Sequence, residues 1–324
     1  MFMFLHAFHP SPLIIDFGFI AVHWYGFLIS LSVVVCFFIG KKLFCRYALP
    51  GQLFFDLVFY VLIFGFAGAR LWHVLSEYDY YSNHLLDAFK IWQGGLAIHG
   101  ALLSGVIVIY FFNKKLSGYA LLQDNNEAVK QWNNETAAPK ENIFIAPFLS
   151  SRRHKFLLLL DIFAPLIALG QAIGRFGNYF NQELYGRPVG WGIPIDLLNR
   201  LPGYESFEYF HPIFLYESLW CLTIFLLLIF LHRLRLDDIR HKRKEASLFH
   251  GFIVNGCGTI FFFYLIFYSL GRFFVGFLRL DPQAVWLNLR LDQWASLALF
   301  LVGIIYFVRG LLHHQSQVEC DKNS

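Results

Sequence analysis

The sequence predicts an all-α, polytopic integral membrane protein of about seven transmembrane helices with a small headpiece on one face. Three observations carry this. Hydrophobic residues make up 57% of the 324 positions and charged residues only 15%, with a mean hydropathy of +0.52, far outside soluble composition. Apolar runs of about 20 residues, the length that crosses hydrocarbon, recur along the whole chain. Successive connections between them are alternately rich and poor in Lys and Arg.

The expected spans are Phe17 to Gly40, Leu53 to Leu75, Gly95 to Phe112, Phe156 to Gly174, Ile213 to Leu231, Gly251 to Val275 and Gln293 to Val308. One set of connections holds most of the 26 Lys and Arg: Lys41, Lys42 and Arg46, then the stretch from Lys114 to Lys155, then Arg233 to Lys244, then Arg309 and Lys322. The opposite set holds only Lys90, Arg175, Arg187, Arg200, Arg279 and Arg290. Basic connections stay in the cytoplasm, which places the N-terminus outside and the C-terminus inside. No Lys or Arg precedes the first span, so it reads as a retained helix and not as a cleaved leader.

The chain reads as one transmembrane domain, 1–324, without a repeat or two inverted halves. Segment 117–153 is rich in Asn, Gln, Glu and Lys and reads as a polar cytoplasmic loop. The sequon Asn134-Glu-Thr136 would face the cytoplasm and is discarded. Segment 175–212, with its Gly, Pro, Trp191, Tyr204 and Tyr209, suits a small headpiece at the outer interface, where aromatic rings settle. The five cysteines lie in spans or on the inner side without CxxC spacing, implying neither disulfides nor a metal site. No cofactor is expected. The net charge of +4 fits anchoring to anionic membrane lipid, and nothing points to nucleic acid.

The residues able to carry chemistry are those that bring charge into hydrocarbon. Arg175 and Arg272 come first, because a guanidinium at that depth costs at least about 2.5–3.5 kcal/mol and its fork matches phosphate oxygens as lysine cannot. The plainer alternative is that each pairs with a carboxylate, such as Glu183 or Asp161, or reaches the interface. Arg70, Arg279 and Arg290 raise the same question more weakly. Asn178, Asn181 and Glu183 follow Arg175 so closely that a continuing helical turn would project Arg175 and Asn178 together. His99 can exchange a proton near neutral pH, or serve only in packing. Tyr25 could aim its hydroxyl at an ester or phosphate oxygen, though Trp24 and Tyr25 would equally serve as interfacial anchors. Tyr268 shares a helical face with Arg272, while His211 reads as interfacial. Asp161 and Glu217 read as partners of buried cations.

These residues stand in motifs that resemble bacterial prolipoprotein diacylglyceryl transferases: His23-Trp-Tyr-Gly26, Gly94-Gly-Leu-Ala-Ile-His-Gly100, Gly174-Arg-Phe-Gly-Asn-Tyr-Phe-Asn-Gln-Glu-Leu-Tyr-Gly186, His211-Pro-Ile-Phe-Leu-Tyr-Glu-Ser218 and Tyr268-Ser-Leu-Gly-Arg272, in the family's order. The resemblance implies an inner-membrane transferase that moves diacylglyceryl from phosphatidylglycerol to the lipobox cysteine of a preprolipoprotein signal peptide, forming a thioether and releasing glycerol phosphate. It implies catalytic roles for His99, Arg175, Arg272, Tyr25 and Tyr268. It further implies substrate contacts from Arg175, Asn178, Glu183, Gly186 and Arg272, at a site in the periplasmic half of the bilayer; the residue types and positions of Asn181 and Arg279 add these two as substrate contacts. The chain departs from the family pattern where Ala101 follows His99-Gly100, where Ile213-Phe214 follows His211-Pro212, and where Gly276 stands one turn after Arg272.

Two other readings use the same residues. An anion or lipid-headgroup channel would line a passage with the arginines and would show symmetric broken helices. A haem- or quinone-binding subunit would need histidines facing each other on two spans.

Overall fold

The computed structural model describes residues 2–18, 21–47, 49, 51–90, 94–122, 151–241 and 256–323. Its helices are α1 (Phe2–Ala7), α2 (Trp24–Arg46), α3 (Gly51–Ser76), α4 (Tyr78–Tyr81), α5 (Ile98–Leu122), α6 (Arg152–Phe180), α7 (Ile213–His241), α8 (Thr259–Val275) and α9 (Leu291–Asn323). Helices α2, α3, α6, α7 and α9 are long and apolar enough to cross a membrane, and shorter apolar helices occupy Ile98–Lys114 and Thr259–Val275. The protein is a polytopic, mainly helical membrane protein.

Small antiparallel ribbons supplement the helices: β1 (Leu13–Asp16) with β2 (Ala21–His23), β3 (Pro188–Pro194) with β4 (Tyr209–Phe210), and β5 (Val285–Trp286) with β6 (Leu289–Arg290). The first ribbon corrects the expected start of the first span. Leu13 pairs with His23 and Asp16 with Ala21, and Asp16 accepts the backbone N–H of Gly18, whose φ of 81° favours glycine. The first long helix therefore opens at Trp24 and not near Phe17.

Two compact units divide the chain: residues 1–39 with 161–324, and residues 40–160. In the first, Ala164 and Ala168 of α6, Ile224, Leu228 and Leu231 of α7, and Ile260 and Tyr264 of α8 form one buried cluster. A second cluster, Tyr179, Tyr185, Ile193, Ile195, Phe210, Phe214 and Leu215, is the core of the segment between α6 and α7. Gln182, at a φ of 53° just past α6, ties that segment down: its amide donates to Pro10 O at 2.7 Å and Asp196 Oδ2 at 2.6 Å, and its Oε1 accepts the Asp196 N–H at 2.7 Å. The Gln182 amide bond to its carboxyl, with His9 3.1 Å from the other oxygen, holds the Asp196 carboxyl below its ordinary pKa.

A buried charge pair joins α6, α7 and α8. Asp161 and Arg235, both fully buried, meet at 2.8 Å. Asp161 also accepts the backbone N–H of Gly258 at 2.9 Å and of Phe261 at 2.8 Å, capping α8 from another helix. Pro165 lacks the N–H that would reach back to the Asp161 carbonyl; Nε2 of His232 lies 3.0 Å from that oxygen instead. Arg235, expected in a cytoplasmic connection, thus lies inside α7, which runs ten residues past Leu231 to His241. Its charge is tolerated there because Asp161 meets it.

The second unit packs α3 on α5 through small residues: a Cβ built at Gly100 would lie 2.1 Å from the Gly68 carbonyl oxygen. Arg70 is satisfied by main chain. Its guanidinium donates to carbonyls of Ala88, Gly94 and Gly95 at 2.8–3.0 Å and of Asp87 at 2.6 Å, fixing those four residues ahead of His99. At the base of that stretch the Lys90 ammonium, 2.6 Å from Asp87, and the Tyr80 hydroxyl lower the Asp87 pKa. Most of segment 117–153, with the sequon Asn134-Glu-Thr136, Lys130 and Lys140, lies outside the described residues; the helical backbone of α5 covers its start as far as Leu122.

Candidate active site

The C-terminal turns of α6 and α8 and the first turns of α7 come together at one end of the first unit, and each brings charge. Arg175 of α6 reaches Glu217 of α7, Nε to Oε2, at 2.5 Å. Arg272 of α8 bonds the other oxygen, Oε1. Arg279, just past α8, brings Nη1 within 3.7 Å of that same Oε1. Three guanidinium groups thus face one carboxylate, which is 8% exposed.

The acidic partners continue from there. Arg272 Nη2 lies 3.3 Å from Asp292 Oδ2, Arg290 Nε is 3.2 Å from Asp292 Oδ1, Arg290 Nη2 is 2.9 Å from Asp281 Oδ2, and Arg279 Nε is 2.6 Å from Asp281 Oδ1. Glu217, Arg272, Asp292, Arg290, Asp281 and Arg279 therefore alternate in sign around a closed ring. Burial pushes the Asp281 carboxyl up, but the Arg279 and Arg290 guanidinium groups together hold it below the usual carboxylate value. The ring is balanced in formal charge, and Arg175 stands beside it as an additional cation. In a poorly hydrated site that surplus favours an anion.

Arg175 also donates from Nη1 to Asn178 Oδ1 at 3.3 Å, because α6 continues through both residues and places them one turn apart. Asn178 donates in turn to Glu183 Oε1 at 2.8 Å, as does Asn181 at 3.3 Å. The carboxylates offered by sequence proximity as partners of Arg175 are engaged elsewhere: Glu183 by the two asparagines, Asp161 by Arg235. A narrow crevice beside the cluster is lined by Arg175, Glu217, Trp220, Cys221, Tyr268, Gly271, Arg272 and Val275. Tyr268 enters it from α8, stacked on Tyr264 with ring centroids 5.5 Å apart.

Gly186 acts through backbone. It forms a bridge with Arg279 and donates its N–H to His211 O at 3.0 Å, in a space where a Cβ would meet His211, Ile213 and Leu278 at 2.9 Å. His211 itself has Nδ1 3.0 Å from the Tyr216 hydroxyl and its ring edge-on to Trp191; burial lowers its pKa. Tyr25, at the start of α2, packs against Gly177 of α6. His99 belongs to the second unit, one residue into α5, with its ring 6.1 Å from that of Trp72.

Reasoning from sequence left Glu217 as a generic cation partner and passed over Asp281, Asp292, Trp220 and Cys221. One signal was available for part of this: Glu217, Trp220 and Cys221 recur at helical spacing on one face of α7. The acidic halves of the ring come from connections whose folding the sequence pattern does not disclose.

Comparison with known proteins bears on what this arrangement belongs to. The family model described as prolipoprotein diacylglyceryl transferase matches residues 12–124 and 142–309. A protein of Synechocystis named phosphatidylglycerol--prolipoprotein diacylglyceryl transferase is 36% identical over 300 residues, 91% of this chain and 87% of its own. Proteins of the same name from Parasynechococcus marenigrum and Halalkalibacterium halodurans are 35% identical over 278 residues and 33% over 297, covering 85% and 90% of this chain and 82% and 83% of their own lengths. With its charged motifs on apolar helices and a match across nearly its whole length, the chain belongs to the prolipoprotein diacylglyceryl transferase family.

Proposed function

We propose that the protein transfers the diacylglyceryl group of phosphatidylglycerol to the lipobox cysteine of preprolipoproteins, the first step of lipoprotein maturation. Family membership favours a transferase over the channel and redox readings. The observation that carries the site assignment is the convergence of Arg175, Arg272 and Arg279 on one carboxylate at one end of the helices. Guanidinium groups so arranged suit a phosphate, whose charge grows as the glycerol C–O bond breaks; in a dry site such stabilisation exceeds its value in water.

In the proposed reaction the cysteine sulfur attacks a glycerol carbon, the C–S bond forms, the C–O bond breaks, and glycerol phosphate leaves. A thiol with an ordinary pKa near 8.5 is only about a few per cent ionised at neutral pH, and His99 is the proposed acceptor of its proton. Tyr25 and Tyr268 direct hydroxyl groups at the lipid, and Asn178, Asn181, Glu183 and Gly186 shape the seat around Arg175. The site faces the periplasmic half of the bacterial inner membrane, with the N-terminus periplasmic, the C-terminus cytoplasmic, 175–212 as headpiece and 117–153 as a cytoplasmic loop within a single domain. The distribution of Lys and Arg supports this orientation.

The test is to incubate the purified chain with phosphatidylglycerol and a lipobox peptide and to look by mass spectrometry for the peptide carrying added diacylglyceryl. Arg175→Ala and Arg272→Ala should abolish the product while the chain stays inserted. Near-normal activity in both variants would refute the phosphate clamp. For His99→Gln, the rate deficit should shrink as pH rises and the thiol ionises unaided; a constant ratio across pH would remove His99 from the proton-accepting role.

A further inference from the structure

The three guanidinium groups at Glu217 are not equally provided for. Arg272 has a second carboxylate in Asp292, and Arg279 a second in Asp281, whereas Arg175 has Asn178 as its other polar side-chain partner among the described residues. The two oxygens of the Glu217 carboxylate are each bonded by one arginine, Oε2 by Arg175 and Oε1 by Arg272. Nη1 of Arg279, on a side chain only 3% exposed, faces Glu217 at 3.7 Å and finds no hydrogen-bond acceptor among the described residues. Such an orphaned buried donor is costly. As placed, the Glu217 carboxylate bonds two of the three groups; the phosphodiester of the lipid offers two non-bridging oxygens in the same way, whereas the phosphate monoester of released glycerol phosphate offers three and could meet all three groups. Glu217 is thus placed where a phosphate monoester would be better matched, and its carboxylate lines the crevice together with Arg175 and Arg272.

Resting on the phosphate reading of this site, we propose that Glu217 is an exchangeable counterion: it holds the position between Arg175, Arg272 and Arg279, yields it to the lipid phosphate, and retakes it to expel glycerol phosphate. No bond is made or broken in the exchange. The ring makes it feasible, since Arg272 and Arg279 each keep a carboxylate when Glu217 moves away, and the charge of Arg175 passes to the phosphate. Glu217 is a positioning residue in this scheme: it sets how tightly anion is held and how fast it leaves.

Glu217→Gln removes the competing charge with little change of shape, and Glu217→Asp keeps the charge on a shorter arm. Binding of glycerol phosphate and steady-state turnover of phosphatidylglycerol would be measured for both variants and wild type in detergent. In Glu217→Gln, glycerol phosphate should bind at least tenfold tighter, with KM for the lipid and kcat both lower because product leaves slowly; Glu217→Asp should fall between. A purely structural role would lower kcat without any gain in anion affinity. Equal or weaker binding by folded Glu217→Gln overturns the exchange. Glycerol phosphate binding to none of the three proteins overturns the phosphate reading itself. If Glu217→Gln is unstable, its Tm should recover with inorganic phosphate more steeply than that of wild type; a Tm indifferent to phosphate counts against the proposal.

Discussion

Tyr25 packs its ring into the space that a side chain at Gly177 would fill, so that a Cβ built there would sit 2.5 Å from Cδ2 of the tyrosine. Gly177 lies between Arg175 and Asn178, so this contact holds the start of α2 against the turn of α6 that carries the proposed phosphate seat. Gly177→Ala should lower lipid transfer about tenfold or more, the factor for roughly 1.4 kcal/mol, by moving the ring. The loss should shrink when the substitution is made on Tyr25→Phe. Additive losses would mean that the glycine matters to helix packing alone.

Arg175→Lys preserves charge and gives up the fork. With Asn178 and Glu217 arranged around a guanidinium, the variant should lose about 10- to 100-fold in kcat/KM for phosphatidylglycerol, the range of one charge-assisted hydrogen bond. Arg290→Lys, one step further round the ring and bonded to Asp281 and Asp292, should lose much less. Kinetics on both variants, with insertion checked separately, would settle the order.

Removing one partner of the fully buried Asp161–Arg235 pair leaves an uncompensated charge in the helix core. Asp161→Asn should therefore destabilise the protein by about 3–5 kcal/mol, while replacement of both residues by apolar ones of similar volume should recover much of the loss. Thermal unfolding in detergent measures both.

Acid should loosen the segment between α6 and α7 before it touches the helices. His211 has a lowered pKa because burial disfavours its charged form, so the unfolded chain binds the proton more readily. The contribution to stability is fully present above the ordinary value near 6.5 and is lost as pH falls from there through the depressed folded value. Asp281, held low by Arg279 and Arg290 against the effect of burial, gives the same sign in a lower window, below about pH 4. Amide exchange of residues near Trp191 should rise between about pH 6.5 and 5 in wild type and stay flat in His211→Gln.

Arg70→Ala should release the stretch holding Asp87, Ala88, Gly94 and Gly95, whose carbonyls it now bonds, and Arg70→Gln should rescue little because one amide cannot reach so many oxygens. Exchange protection of the Ala97 amide, bonded to Ala69 O at 3.0 Å, would report it directly.

The membrane-spanning core and the family were legible because apolar length and motif spelling are local properties. Arg175, Asn178 and Glu183 were legible as a group for the same reason: a single helical end and the turn after it bring them together. Arg175's acidic partner was not, since proximity in sequence favoured Glu183 or Asp161 and only folding brings Glu217 to it. Arg235 was misplaced because a basic residue after an apolar run looks like a loop anchor; nothing nearby in sequence announces Asp161 as its counterion. The short ribbons were missed because two- to seven-residue strands leave too little alternation to separate from helix.

The capping of α8 by Asp161 also sets a level. Gly258, where α8 is held, precedes Arg272 by the same number of residues as Asp161 precedes Arg175, so each arginine stands about 21 Å along its own helix from a common joint. Both helices are counted from that joint, and their guanidinium groups meet the two oxygens of one carboxylate, Glu217. Insertion or deletion of a single residue in either helix between joint and arginine would rotate that side chain by about 100° and shift it by about 1.5 Å. The bottom of the bundle thereby gauges the alignment of the top.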